Sequence, residues 1–311
     1  MNLLMSKQYK QLKIESEITI EQQVYKIIQK IGEGGYGVVY KVKNYERNTF
    51  SALKFIEVGQ NELVNQYNVK EAKHLASMNH PYIVKNLGSY VYDFDDCQCY
   101  VIETELCQKS LMNLLIDELV DIKRRKGEIF VFADEISIAY KTTVSKLIFQ
   151  TMVGLRYIHQ QGFIHRDIKP ENILIGFDGN VRIIDFNLSK QCVQTNTILG
   201  TKPYQAPEVN PQDNSQGRAQ SYNEKVDTFS LGVTIYQLLT NDFPFKLKYN
   251  PIQRYKAIQQ QNYDKNACKD QIMRQLVDLF LQFDVTNRPS IEEFIEENKE
   301  IFEEFEELKF K

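Results

Sequence analysis

The feature that most constrains this chain is a change of hydrophobic period near residue 104. Before it, apolar residues alternate in short runs; after it, they recur at helical spacing. Val24–Lys30 alternates into a glycine cluster, and Val38–Lys43 and Phe50–Glu57 follow as β-branched and aromatic runs separated by the polar turn Tyr45–Thr49. Asn68–Met78 is the one helical segment of this part, with Val69, Ala72, Leu75 and Ala76 on a shared face and Pro81 to end it. Strand-like runs return near Tyr82–Tyr90 and Tyr100–Glu105. From Ser110 onward, Leu111–Leu119, Val144–His159, Val226–Leu239 and Ile272–Phe283 carry helical spacing. Ile291–Leu308 reads as a single acidic amphipathic helix, the nine glutamates from Glu292 to Glu307 lying mostly off its apolar stripe as a solvated face. A small antiparallel β part with one main helix, followed by a larger mainly helical part, is an α+β architecture with its seam near Thr104–Lys109.

Two segments interrupt the plan. Asp117–Tyr140 contains the basic run 123–126 (KRRK) and the apolar cluster Ile129–Phe132 between two helical stretches; the run reads as a solvated loop, with a nuclear address or docking patch as the alternatives. Pro211–Ser221 is a polar loop.

Composition excludes several classes. The 311 residues are 42% hydrophobic and 25% charged, ordinary globular usage. No run approaches the roughly 20 apolar residues of a membrane helix, so membrane insertion is not expected. Lys+Arg 38 against Asp+Glu 41 gives a net charge of −3, which provides no reason to expect nucleic acid as partner. Five cysteines, of which only Cys97 and Cys99 are close in sequence, build neither a disulfide framework nor a zinc pattern. A reducing, cytoplasmic compartment is the expectation, with the nucleus left open. Tyr and Phe number 18 each, and there is no Trp.

Gly32, Gly34 and Gly37 form G-x-G-x-x-G, a spacing that lets backbone approach phosphate where a Cβ would intrude. A dinucleotide-binding unit would open a helix here, but Val38–Val42 is a strand pattern, so the glycines sit in a hairpin. Taken alone, a plain glycine-rich turn explains them equally well. Residues 165–172 are far more specific: His-Arg-Asp-Ile-Lys-Pro-Glu-Asn. Ile183-Ile184-Asp185-Phe186-Asn187 presents another acid shortly after. Ala52-Leu53-Lys54 lies on the third strand upstream, and Ala206-Pro207-Glu208 lies downstream.

In content and order these motifs resemble the eukaryotic protein kinase family, from about Tyr25 to Phe294. The resemblance implies a bilobal fold with residues 1–24 as an N-terminal extension and 25–311 as the kinase domain. Its N-lobe would span 25–104, its hinge 105–109 and its C-lobe 110–311, the last including the segment 117–140 and the acidic helix 291–308. It implies ATP and Mg²⁺ as cofactors, with ATP between the lobes, and Ser/Thr hydroxyls of protein substrates as acceptors. Lys54 would hold the α- and β-phosphates, paired with Glu71 on the lone helix, Glu62 being the competitor. Asp167 would accept or orient the substrate proton, Lys169 would neutralise the transferring phosphate, and Asn172 and Asp185 would bind the metal. Lys169 and Thr201 mark the Ser/Thr class. Glu105 and Cys107 would bind adenine through the hinge backbone, with Thr104 behind them. Val39, Ala52 and Leu174 would sandwich the base, although Leu174 is read almost as well as core.

Departures from the family pattern are local. Asn187 replaces the glycine of the metal-binding triplet; asparagine also tolerates positive φ, so activity is expected, with a pseudokinase acting as a scaffold or allosteric partner as the alternative. Phe229 stands where many kinases carry Trp. Asp227 would brace the catalytic loop, and Arg288 would pair with Glu208. Arg166 is a cation suited to a phosphate on Thr197, with Thr195 as runner-up, which implies an upstream activating kinase. Nothing in the sequence sets the oligomeric state.

Overall fold

Alternation in the first hundred residues builds a six-stranded antiparallel sheet. Its strands are β1 (Glu17–Ile20), β2 (Gln23–Gly34), β3 (Gly37–Asn44), β4 (Thr49–Glu57), β5 (Asn86–Asp93) and β6 (Gln98–Glu105). They lie in the order β1-β2-β3-β4-β6-β5. The computed structural model describes residues 7–34, 37–58, 75, 77–185, 190–191, 201–209, 222–246, 248 and 250–302. The chain divides into two units, Met1–Cys107 and Gln108–Lys311.

In the first unit the period-2 pattern sends alternate residues to opposite faces. Val38, Tyr40 and Val42 of β3, Leu53 and Phe55 of β4, and Val101 of β6 form a buried core on one face. The other face of the same strands carries Val39, Ala52, Lys54 and Thr104, brought side by side by the pairs Val39–Lys54 and Ala52–Thr104. Of the expected helix Asn68–Met78, only Leu75, Ser77 and Met78 are described; Leu75 and Ser77 are helical. The strand expected over Tyr82–Tyr90 runs instead from Asn86 to Asp93, because Pro81 and Tyr82 occupy a turn.

Residues 1–24 were expected to precede the sheet, and that expectation needs correcting. β1 pairs with β2 through a two-residue turn, and Ile18 and Ile20 join the core. Upstream, a 3₁₀ turn at Gln8–Gln11 buries Tyr9, whose hydroxyl donates to Glu57 Oε2 at 3.3 Å. The Leu12 N–H donates to the Tyr40 hydroxyl at 3.1 Å. The segment 7–20 is thus part of the first unit's packing. One polar group lies within that packing. Glu103 is fully buried and accepts from the Tyr25 hydroxyl (2.9 Å), the Ser51 hydroxyl (2.7 Å) and Arg47 Nη2 (2.6 Å), so its burial is compensated.

The second unit is mainly helical. Among the described residues its longer helices are α1 (Leu111–Lys126), α2 (Ile138–Gln160), α3 (Lys225–Thr240), α4 (Pro251–Gln259), α5 (Gln271–Phe280) and α6 (Ile291–Glu297), with a single helical turn at Phe132–Glu135 between α1 and α2. Short strands β7 (Lys109–Ser110), β9 (Ile173–Ile175) and β10 (Val181–Ile183) form one small sheet; β8 (Phe163–Ile164) pairs with β11 (Lys190–Gln191). Helix α3 is buried on every side, as an all-round apolar helix must be. Asn241 closes it at φ 54°, a left-handed cap that asparagine tolerates.

Two other expectations change here. The basic run 123–126 is the last turn of α1, not a loop; cations are favourable at a helix C-terminus, and Gly127 caps it with its N–H on the Lys123 carbonyl. The acidic helix expected over 291–308 is interrupted at Asn298: α6 ends at Glu297, helical backbone resumes over 299–302, and Phe302 packs its ring against Phe149 and Phe294. Residues 303–308 lie outside the described residues. Among the described residues no helix is long and apolar enough to cross a membrane.

If residues 7–20 belong to the core, Tyr9→Ala should destabilise the protein by about 3 kcal/mol, the usual order for a buried aromatic truncated to alanine. Urea denaturation followed by circular dichroism checks this; an unchanged midpoint would make the segment an appendage.

Candidate active site

The site in the second unit grows from a hairpin and a helix start. β9 and β10 pair with Ile183 opposite Ile173, and the Ile184 N–H donates to the Asn172 carbonyl at 3.0 Å. Asn172 and Asp185 therefore flank the open end of one hairpin. Its closed end turns tightly at Gly179, φ 72°. Ile173 and Ile175 are buried, while Leu174 between them is half-buried and faces the other way.

Four donors converge on Asp167, which is buried. Lys169 Nζ reaches Oδ2 at 2.6 Å and Asn172 Nδ2 reaches the same oxygen at 2.9 Å. The Thr201 N–H and hydroxyl donate to Oδ1 at 3.0 and 2.8 Å. Lys169 Nζ also donates to the Thr201 hydroxyl at 2.7 Å, which ties the three side chains into one cluster. Since Asn172 Nδ2 also serves the Asp167 carbonyl at 2.9 Å, the amide orientation is set and Oδ1 is its acceptor end.

Behind this cluster stands Asp227, in the first turn of α3. Its carboxylate accepts the backbone N–H groups of His165 (2.8 Å) and Arg166 (2.7 Å), together with His159 Nε2 (2.8 Å). Arg166 is held at φ 69° and Asp185 at φ 70°, left-handed conformations that cost a non-glycine residue about 1–3 kcal/mol each. Burial pushes the Asp227 carboxyl up, but the His159 hydrogen bond, the two neighbouring histidines and the Arg166 N–H outweigh it and hold it below the usual carboxylate range. The Asp167 N–H donates to His165 Nδ1 at 3.3 Å, so His165 Nε2 carries the proton and donates to the Ile184 carbonyl at 2.9 Å. One imidazole thus links the Asp167 loop to the strand leading into Asp185.

The Arg166 guanidinium is buried and donates to the Tyr222 hydroxyl at 3.3 Å. Arg288 is fully buried: Nη1 meets Glu208 Oε1 at 2.6 Å and the Lys225 carbonyl at 3.1 Å, and its guanidinium stacks on the Phe229 ring at 5.0 Å. Phe229 also stacks on Phe245. A phenylalanine at this position therefore still presents a ring to the cation.

In the first unit, Gly34 pairs with Gly37 where the glycine hairpin turns. A Cβ at Gly37, φ 137°, would collide with the Phe55 carbonyl, so the protein's own packing demands glycine there. At Gly34 nothing lies within 4 Å of such a Cβ, and at Gly32 only Val39 does, at ordinary contact distance. Among the described residues, nothing sterically requires glycine at these two positions. Lys54 and Ala52 lie on the same sheet face as Val39. The Glu105 N–H bonds the Lys85 carbonyl at 3.0 Å, and Cys107 ends the unit. Glu71, Glu62, Asn187, Thr195 and Thr197 lie outside the described residues. Sequence reasoning missed His159, Tyr222 and Ser230; nothing in their local spacing distinguishes them from ordinary helix and loop residues.

Asp167, Asn172 and Asp185 offer hard oxygen atoms beside a lysine. Among the described residues no cluster of three or more His, Cys, Asp or Glu side chains could hold a metal. A carboxylate and an amide oxygen nevertheless suit Mg²⁺, which takes few protein ligands and completes its shell with phosphates and water. That combination defines the class first, a phosphoryl-transfer protein.

The comparisons with known proteins agree. Residues 25–298 match the protein kinase domain family. The chain is 30% identical over 288 residues to an Aurora kinase of Eremothecium gossypii, covering 88% of this chain and 70% of the relative. It is 33% identical over 220 residues to serine/threonine-protein kinase 10 of Xenopus tropicalis, covering 70% of this chain and 21% of that protein. It is 32% identical over 231 residues to the serine/threonine-protein kinase pakH of Dictyostelium discoideum, covering 73% and 39%. This chain belongs to the protein kinase family, in its serine/threonine class.

The Asp227 geometry has a pH signature. A carboxyl held below its ordinary value of 3.8 stabilises the fold fully above that value and loses its contribution as pH falls through the lowered one. Asp227→Asn should cost roughly 3 kcal/mol at pH 7, and the deficit should shrink as pH drops below about 4. Denaturation midpoints of both proteins across pH 3–7 check it.

Proposed function

We propose that this chain transfers the γ-phosphate of Mg·ATP to serine and threonine hydroxyls of protein substrates. The observation that carries the reading is the Asp167–Lys169–Thr201–Asn172 cluster, in which one carboxylate is oriented by three other side chains. In this reading Asp167 accepts or orients the proton of the attacking hydroxyl, and Lys169 offsets negative charge on the transferring phosphoryl group. Lys54 holds the α- and β-phosphates, with Glu71 as its partner. Gly32, Gly34 and Gly37 cover the phosphates through backbone, and the open space around Gly32 and Gly34 among the described residues supports that role. Val39, Ala52 and Leu174 contact adenine, whose edge is bound by the backbone of Glu105 and Cys107. Asn172 and Asp185 hold Mg²⁺, which when bound disperses charge on the phosphate oxygens. Thr201 sets the acceptor class through its bonds to both Asp167 and Lys169.

The kinase domain in this reading extends over 25–311, with residues 7–20 packed onto its sheet as an added strand and turn, and the protein works in the cytoplasm. Phosphorylation of Thr197 by an upstream kinase activates it, with Arg166 as the cation that answers the phosphate. A second reading, a pseudokinase acting as a scaffold or allosteric partner, is favoured by Asn187 and the inserted segments 117–140 and 211–221, against six polar residues of the transfer chemistry.

Transfer of ³²P from γ-labelled ATP to a generic protein substrate separates the two. Asp167→Asn should lower turnover by about 10²–10⁴-fold while ATP still binds. No transfer by the wild type, even after treatment with an activating kinase, would overturn the enzyme reading in favour of the scaffold. Thr197→Ala should reduce turnover of protein that carries phosphate at this position in the wild type; unchanged turnover would remove Thr197 from the account.

A further inference from the structure

We propose that Arg254 of α4 is a positioning residue for the acceptor step, acting through backbone carbonyls on Thr201 and so on Asp167. The inference rests on the kinase reading above and adds to it a residue outside the sequence motifs.

Residues 201–205 have an unusual support. They form a single 3₁₀ turn, with the Tyr204 N–H on the Thr201 carbonyl at 2.9 Å. Three consecutive carbonyls of this turn are taken by side chains from two helices. Arg254 Nη2 donates to the Pro203 carbonyl at 3.0 Å and to the Gln205 carbonyl at 2.8 Å. The Ser230 hydroxyl of α3 donates to the Tyr204 carbonyl between them at 2.9 Å. A charged donor shared by two carbonyls is stronger than a neutral hydrogen bond and restricts direction as well as distance.

Both ends of this clamp are anchored. Helix α4 starts in a reciprocal cap between Asn250 and Gln253, buries Ala257 and Ile258, and sets Tyr255 edge-on to Phe283 at 5.3 Å. On the other side, the Tyr204 ring meets Phe243 edge-on and its hydroxyl donates to Gln237 Oε1 at 2.6 Å. When Arg254 is removed, the carbonyls at 203 and 205 lose this donor while Tyr204 keeps its bonds to Gln237 and Ser230. In this proposal the turn relaxes on either side of Tyr204, and the backbone of residues 201–203 carries that relaxation to Thr201, at the start of the turn. Thr201 supplies two of the four donors on Asp167 and the hydroxyl that Lys169 bridges. A displacement of Thr201 is transmitted directly to the carboxylate that faces the acceptor hydroxyl. Arg254 touches none of the reacting groups in this account, so its effect falls on turnover and not on nucleotide affinity.

Steady-state phosphorylation of a peptide substrate tests this with wild type, Arg254→Ala and Arg254→Lys. Rates are expressed per ATP site, titrated with a fluorescent non-hydrolysable ATP analogue, so that unfolded protein does not count. Arg254→Ala should lose about 10- to 100-fold in kcat, the scale of an ångström-sized misplacement. Its KM for ATP should stay within about twofold of wild type, as expected when ground-state nucleotide binding is untouched. Arg254→Lys keeps the charge but lacks the planar fork, and should recover part of the loss. If Arg254→Ala fails to bind the analogue, Arg254→Lys and Arg254→Gln carry the comparison. An active wild type with unchanged kcat in every variant overturns the role of Arg254 alone. A rise in ATP KM that accounts for the whole loss also overturns it. A wild type that binds the analogue and transfers nothing overturns the kinase reading, and this inference with it.

Discussion

The second unit depends on what the Asp227 carboxylate does to two peptide groups. Consecutive N–H groups at His165 and Arg166 both donate to it, and the chain then turns at Arg166 through φ 69°, a conformation an arginine does not adopt without compensation. Asp227 provides that compensation at 2.7 and 2.8 Å, from the first turn of a helix buried on every side. Position and charge both follow from α3: the helix cannot tilt without disturbing the core, and its N-terminus favours a carboxylate. Arg288 then holds that same end of α3, bonding the Lys225 carbonyl while it pairs with Glu208 and stacks on Phe229. From this frame the chain enters Asp167 with its direction set, and the proposed transfer chemistry needs little more than the donors of Lys169, Asn172 and Thr201.

The first unit divides its labour between two faces of a sheet. One face is packed by the aromatic and β-branched core together with residues 7–20 and a compensated Glu103. The other gathers Val39, Ala52, Lys54 and Thr104, the residues proposed to meet nucleotide. Packing the core face so fully leaves the strands little freedom to slip, because a one-residue shift would exchange the two faces. Gly37 adds to this rigidity, since β4 backbone occupies the space a side chain would need.

Much of this was legible because it is carried by period and by rare motifs. The strands β2 to β4 and the helices α2, α3 and α5 follow from residue type and order, and the brace at Asp227 and the pair Arg288–Glu208 from the resemblance to protein kinases. What was not legible has physical reasons. β1 turns into β2 at Glu21 and Gln22, both at positive φ, where a hairpin turn ordinarily carries Gly or Asn; with neither, the signal was missing. Helix α4 holds few apolar residues, so its periodicity is weak, and its start is marked only by Asn250 and Pro251. The basic run 123–126 looked like a loop because charge alone does not distinguish a solvated loop from a helix end. Asn298 breaks the acidic helix with a residue that is unremarkable in sequence. The clamp on residues 203–205 and the contact of His159 with Asp227 join positions far apart in sequence, which local patterns do not reveal.

Amide hydrogen exchange over residues 163–168, compared between wild type and Asp227→Asn, tests most directly whether one carboxylate sets this loop. An amide side chain cannot accept from both N–H groups as the carboxylate does, so exchange there should accelerate by about tenfold or more, the worth of one hydrogen bond to a charged group. Exchange in α5 should remain as slow as in the wild type. Unchanged protection at His165 and Arg166 in the variant would contradict the account, because the loop would then hold its conformation without Asp227.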